Sequence, residues 1–238
     1  MPMRARLEAA LLTRPPRLLH PLLPGCEWTA PAALSTGAPA VYLTFDDGPI
    51  PEETPWVLEQ LAAFGARATF FCVGQNLERY PDIARAALAA GHRLGNHTHH
   101  HRSAWATSRP EYLADVARCQ YTLNELLASS ARQPGAATHS ALSAAPARLL
   151  FRPPYGRLTW PLLRALRPAQ RVIMWSVLTR DYDPALSPES CLRLALAAIR
   201  PGDIVVFHDS HKASARLRFV LPRVLAHLAG QGFQFPTL

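Results

Sequence analysis

Two histidines four residues apart, His97 and His101, stand in the run Asn96-His97-Thr98-His99-His100-His101. On a single helical turn that spacing points both imidazoles the same way, so that they can share one divalent metal ion. Asp47 is available as a third ligand. Two histidines and one carboxylate leave coordination positions open, which suits catalytic zinc, although the same set also serves non-haem iron. A solvated histidine-rich loop is the plainer alternative, and the ligand spacing outweighs it. His99 and His100 lie on other faces of that turn and are expected to be solvated or packed behind the ligands. The remaining reactive groups recur at one kind of place, just after strand-like runs: Asp46 and Asp47, Arg152, Asp181 and His208. In a barrel of parallel strands these positions all open on the carboxyl-terminal face, where such folds place their active sites.

The elements that must position them begin at Val41, where short β-branched or aromatic runs start to alternate with helical stretches, the pattern of an α/β fold with a mostly parallel sheet. Strands are expected at Val41–Phe45, Ala68–Val73, His92–Gly95, Leu149–Phe151, Arg171–Val177 and Ile204–Phe207, and Phe233–Phe235 is a candidate last strand. A first helix is marked by Thr54 as N-cap, Pro55 at the first helical position and Gly65 past its end. Others are expected from Pro81 to Ala90, from Ser108 with Glu111 as a capping box, from Thr159 to Leu166, from Pro188 to Ile199 and from Ala215 to Ala229. Residues 1–40, with seven prolines, look like an arm wrapped on the surface. Residues 41–238 form one catalytic domain, interrupted at 129–147 by an Ala-, Ser-, Pro- and Gly-rich stretch expected to be a surface loop.

Composition narrows the function classes. Of 238 residues, 49% are apolar and 18% charged, which excludes a disordered or fibrous chain. No apolar run approaches the roughly 18 residues needed to span a bilayer, and the richest, Ile83 to Ala90, is broken by Arg85. The net charge of +8 comes from scattered cations, nearly all Arg with Lys212 the lone Lys, and no run of five occurs, so nucleic acid is not expected as a partner. Cys26, Cys72, Cys119 and Cys191 are far apart, without CxxC or zinc-finger spacing, and read as reduced, packed thiols. The apolar stretch from Ala9 to Leu12 is cut by Arg14, Pro15, Pro16 and Arg17 before it reaches signal-peptide length, so a cytoplasmic location is expected. The Arg-rich arm leaves peripheral membrane contact open, but Pro15 and Pro16 oppose one continuous amphipathic helix. Oligomeric state is not encoded legibly.

The segments Thr44-Phe45-Asp46-Asp47-Gly48-Pro49, His97 to His101, Phe151-Arg152-Pro153-Pro154-Tyr155-Gly156, Trp175 through Asp181, and Val206-Phe207-His208 resemble, in order, the motifs of the NodB-homology polysaccharide deacetylases, carbohydrate esterase family 4. The resemblance runs over residues 41–238. It implies a distorted (β/α) barrel with fewer than eight strands and a divalent metal, usually zinc. It implies Asp46 as general base, Asp47, His97 and His101 as metal ligands, and Arg152 as the cation that pairs with Asp46 and keeps it ionised. His208 would be the general acid, Asp181 the carboxylate that tunes it, and the backbone N–H of Tyr155 a donor to the tetrahedral oxyanion. Zinc at such a site polarises the acetamide and lowers the pKa of water from about 16 towards 7. Asp46 and Asp47 are neighbours, and both reach one site only where a strand ends, an ending expected from Gly48-Pro49.

Three positions depart from the commonest pattern of that family: Leu178, Tyr182 and Val206, which are expected to reshape the apolar wall that receives the acetyl methyl. Trp175 is expected at that wall, with plain core packing as its alternative. Asp181 near Asp183-Pro184 has turn capping as its alternative, and Asp209 and His211 read as ordinary loop residues. The expected activity is metal-dependent hydrolysis of N-acetyl groups, a carbon–nitrogen amide bond, on N-acetylglucosamine-type poly- or oligosaccharides, releasing acetate. The alternatives are hydrolysis of a non-sugar amide on the same fold, or a catalytically silent glycan-binding homologue.

Overall fold

The computed structural model describes residues 13–131 and 149–238. Its centre is one sheet of eight parallel strands: β1 (Cys26–Glu27), β2 (Tyr42–Asp46), β3 (Ala68–Cys72), β4 (Arg93–Asn96), β5 (Leu149–Phe151), β6 (Gln170–Ile173), β7 (Val177–Leu178) and β8 (Ile204–His208), in the order β1-β6-β5-β4-β3-β2-β8-β7. Seven strands come from residues after 41. The eighth, β1, is added at one edge by the segment read from sequence as an arm, through Cys26 and Glu27 paired with Val172 and Ile173.

Covalent geometry shows that the sheet is rolled. The run Arg171 to Val177, expected as one strand, is two, and β6 and β7 lie six strand spacings apart in the sheet order. In a flat sheet that is about 29 Å, whereas the four Cα steps from Ile173 to Val177 reach at most about 14 Å. The connection therefore crosses the open side of a curled half-barrel. Met174 N–H donates to the Glu27 carbonyl (2.7 Å) on one side, and Ser176 N–H donates to the Ile204 carbonyl (3.1 Å) on the other. The alternation visible in sequence could not reveal this break, because both halves are extended.

β2, β3 and β8 are buried almost throughout, which is why they read as unbroken apolar runs. Leu43, Phe45, Phe70 and Phe207 face the outer helices, with Phe45 stacked on Phe70 (5.0 Å) and Phe207 (5.6 Å). Truncating such a phenylalanine to alanine costs about 3–5 kcal/mol. Tyr42, Phe71, Leu150, Ile173 and Ile204 form a separate cluster on the inner side. The helices are α1 (Thr54–Ala63), α2 (Gly74–Arg79), α3 (Pro81–Ala89), α4 (Arg109–Ala131), α5 (Trp160–Leu166), α6 (Pro188–Ala198) and α7 (Ser214–Gly230). None among the described residues is long and apolar enough to cross a membrane.

Several local expectations need correction. Thr54 is the first residue of α1 rather than its cap, and its hydroxyl accepts from Ile50 N–H and donates to Asp209. Phe233–Phe235 forms no strand; Gln234 makes only an isolated bridge to Ala40. Of the expected loop at 129–147, residues 129–131 continue α4 and the rest lies outside the described residues. The four cysteines are free, and burial raises the thiols of Cys72, Cys119 and Cys191, as packed thiols require.

Candidate active site

β2 and β8 are adjacent, and their register places Asp46 opposite His208. Neighbouring strands lie about 4.8 Å apart and residues in register share a face, so a carboxylate and an imidazole stand side by side at the carboxyl end of the sheet. Arg152 follows β5 and reaches inward, fully buried. Its Nη1 donates to Asp46 Oδ1 (2.7 Å) and Thr44 Oγ1 (2.7 Å), its Nη2 to the Met174 carbonyl (2.9 Å) and its Nε to the Ile173 carbonyl (3.4 Å). The guanidinium also lies 4.1 Å over the Phe71 ring. A buried cation is tolerated when it is paired and its donors are satisfied, and this one is the rigid mount of Asp46.

The strand ends at Asp46, and Asp47 itself, with φ of 87°, takes the left-handed conformation; the break expected at Gly48-Pro49 thus starts one residue earlier. His97 and His101 do not sit on a helical turn, as their spacing suggested. They lie in the loop after β4, where Thr98 (φ 64°) and His101 (φ 54°) are also left-handed. The two rings still converge, 5.0 Å apart. Asp47 Oδ1 is 3.2 Å from His101 Nε2 and 3.8 Å from His97 Nε2, and the three residues offer ligand atoms all within 4.8 Å of one another.

This donor set fits a divalent cation on its own chemistry. His97 Nδ1 is held by the Arg152 carbonyl at 2.7 Å, which fixes the ring and leaves Nε2 for the shared space. Burial pushes the His97 imidazole down to about 4, so it is neutral and needs no proton removed before binding. Burial opposes ionisation of Asp47, but its hydrogen bond with His101 and the neighbouring imidazoles hold its carboxyl well below the ordinary range.

His208 Nδ1 meets Asp181 Oδ1 at 2.7 Å, and Asp181 Oδ2 accepts the His208 backbone N–H at 2.8 Å. Burial alone would lower this imidazole, but the Asp181 carboxylate outweighs it and the group rises to about 9. Asp181 is fully buried and serves His208 with both oxygens, a placement that turn capping does not explain.

A cavity of about 460 Å³ joins these groups. Asp46, Asp47, His97, His101 and His208 line it on the polar side. Trp175, Leu178, Tyr182 and Val206 line it too and supply apolar wall. Trp175 packs against Gly156, where an added Cβ would lie 2.4 Å from the ring. Tyr155, at φ 60°, is mostly exposed, and its backbone N–H finds no acceptor among the described residues. Among the described residues, the non-glycine positions with positive φ are Asp47, Thr98, His101, Tyr155 and Arg180, all on segments that leave the carboxyl ends of strands around this cavity. Such conformations cost on the order of 1–3 kcal/mol each and collect where a site demands them.

Two residues that hold the site were not singled out by sequence. Asp209, read as an ordinary loop residue, is fully buried. Its Oδ1 accepts Gly48 N–H (3.0 Å) and its Oδ2 the Thr54 hydroxyl (2.6 Å), which ties the turn after Asp47 to β8 and α1. Asp115 on α4 accepts the backbone N–H groups of His99 and His100 (3.0 Å each) and contacts the His100 ring, bracing the loop between His97 and His101. The available signal was a carboxylate three residues after Tyr112 and one before Val116, on the apolar stripe of its helix. His99 is buried rather than solvated, His100 is exposed in part, and His211 is exposed.

The family model described as polysaccharide deacetylase matches residues 33–170, more than half of the chain. A peptidoglycan-N-acetylglucosamine deacetylase of Bacillus cereus is 30% identical over 200 residues, covering 83% of this chain and 66% of that protein. A chitooligosaccharide deacetylase of Sinorhizobium fredii is 36% identical over 178 residues, 73% of this chain and 74% of the relative. Among solved structures, the Bc1960 peptidoglycan N-acetylglucosamine deacetylase superposes with a TM-score of 0.74 at 27% identity, covering 90% of this chain and 91% of that one. Sequence, fold and the ordering of polar groups at the strand ends agree, and the chain belongs to the polysaccharide deacetylase family.

Proposed function

We propose that this chain is a metal-dependent hydrolase that removes acetyl groups from N-acetylglucosamine residues of a poly- or oligosaccharide, releasing acetate and a free amino sugar. The observation that carries the proposal is the joint arrangement around one cavity. A carboxylate mounted on a buried arginine and an imidazole charged by a buried carboxylate flank the Asp47, His97 and His101 set.

Asp47, His97 and His101 would hold a divalent cation, zinc being suited to two imidazoles and a carboxylate, and such an ion would supply Lewis acidity towards the acetamide oxygen. Asp46 takes the proton of the attacking water as its oxygen adds to the carbonyl carbon. Arg152 keeps the carboxylate aimed at the cavity throughout, because four bonds fix its guanidinium. Tyr155 N–H donates to the carbonyl oxygen as negative charge develops there. Nδ1 of His208 is engaged by Asp181, so Nε2 faces the cavity and gives its proton to the sugar nitrogen as the C–N bond breaks. Trp175, Leu178, Tyr182 and Val206 receive the acetyl methyl.

The test is acetate release from N-acetylglucosamine oligomers, peptidoglycan fragments and a panel of small amides, with zinc added, after chelation and after metal restoration. Metal-dependent release from the sugars is expected. Release only from non-sugar amides, or sugar affinity without turnover, overturns the proposal.

A further inference from the structure

From the rim of the cavity a row of flat groups continues onto the surface. The Tyr155 ring, 60% exposed, stands 4.7 Å from the His101 ring. The Arg157 guanidinium lies 5.4 Å from the Tyr155 centroid and 4.9 Å from that of Trp105, which is 67% exposed. The row therefore starts at a metal-ligand candidate and continues without a gap to Trp105, with Tyr155 and Arg157 belonging to both cavity and row.

Leaving a tryptophan in water forgoes the burial that usually stabilises a fold. Trp105 is nevertheless held in place. Its Nε1 donates to the Leu158 carbonyl (3.4 Å), its backbone N–H to Ser103 Oγ (3.4 Å), and Arg157 covers its face. Arg157 is held by rings rather than by a counter-ion. Its guanidinium meets no carboxylate among the described residues and lies against the Trp105 and Tyr155 rings. Its side-chain N–H donors are left for another acceptor. A held aromatic face, a donor fork and a second aromatic face complement a pyranose, which presents C–H groups on its faces and hydroxyls on its edge.

We propose that Tyr155, Arg157 and Trp105 form a subsite for the sugar residue next to the one whose acetamide occupies the cavity, so that the chain selects oligosaccharides over a monosaccharide. This rests on the deacetylase reading above. The test is calorimetric titration with N-acetylglucosamine and its tetramer, in zinc-loaded protein carrying Asp46→Asn so that the sugar is not consumed. Trp105→Ala should weaken tetramer binding about tenfold and leave monomer binding unchanged within about twofold. Trp105→Phe should restore most of the loss. Tyr121→Ala, an equally exposed aromatic on α4 away from the row, should have no effect. Tetramer binding no tighter than monomer binding, unaltered by Trp105→Ala, or equally weakened by Tyr121→Ala overturns the subsite. Trp105-dependent binding without acetate release by the unsubstituted protein would leave the subsite standing and remove the deacetylase reading.

Discussion

Asp181→Asn isolates the carboxylate that charges His208. Asp181 uses both oxygens on that one residue, 2.7 Å from Nδ1 and 2.8 Å from the backbone nitrogen. An asparagine has one carbonyl oxygen for the backbone donor, and its amide then faces Nδ1 as a donor, which favours the neutral ring with its proton on Nε2. With that carboxylate gone, burial pulls the imidazole down against only the weaker attraction of Asp47 and Asp46, and it falls from about 9 towards its ordinary 6.5. A group at about 9 is roughly 90% protonated at pH 8, and one at about 6.5 only about 3%. Turnover should therefore drop by up to about 30-fold at pH 8 and markedly less at pH 6. Because the folded value lies above the unfolded one, the pair's contribution to stability is complete below about pH 6.5 and disappears as pH rises through about 9. It is worth about 3 kcal/mol where complete. The thermal stability gap between the two proteins should accordingly close at high pH. Histidine NMR of the chelated proteins measures the two pKa values, and acetate release across pH measures the rate. A His208 in the variant that still titrates above about 8, or an equal loss of rate at both pH values, refutes the role given to Asp181.

Asp46→Asn keeps an oxygen for Arg152 but cannot take a proton, so turnover should fall by on the order of 10²–10⁴ while zinc content by elemental analysis stays the same; near-normal turnover would remove Asp46 as the base. Asp209→Ala strands the Gly48 N–H and the Thr54 hydroxyl in a buried space and should cost about 2–4 kcal/mol in urea unfolding. Asp209→Asn retains an acceptor and should cost less than half as much. Burial raises the Asp209 carboxyl to about 8, so the native protein loses this contribution between about pH 4 and 8, and its advantage over the non-titrating asparagine should shrink across that window. Arg14→Ala removes bonds to Asp203 (2.7 and 3.1 Å) and to the Ala198 carbonyl (2.8 Å) at the amino-terminal end of β8. It should lower unfolding stability by about 1–2 kcal/mol with kcat unchanged, and a large loss of kcat would contradict the placement of that contact away from the site.

The order of elements was readable because each strand carries a buried apolar run and each helix its own punctuation, as at Pro81 and Gly91 or at Ser187, whose hydroxyl accepts Ser190 N–H as a true cap. The reactive residues were readable because they stand at strand ends, whose positions follow from the same runs. His97 and His101 drew notice by their spacing of four, although the helical turn invoked for them is a loop whose left-handed residues bring the rings together. Spacing fixes which side chains are near one another in the chain, and here the result survived a change of backbone conformation.

By itself the sequence determined the α/β class, the set of chemically able side chains and the family resemblance, because these depend on residue type and on short-range period. Strand order, the curling of the sheet, the splitting of 170–178 across its open side, and the burial of Asp209 and Asp115 were decided only in three dimensions. Each depends on contacts between segments far apart in the chain, such as Asp209 with Gly48 or Ser176 with Asp203. A carboxylate reads the same in a loop whether it faces water or the backbone of a distant turn, and only the packed chain supplies the desolvation and the donors that separate the two.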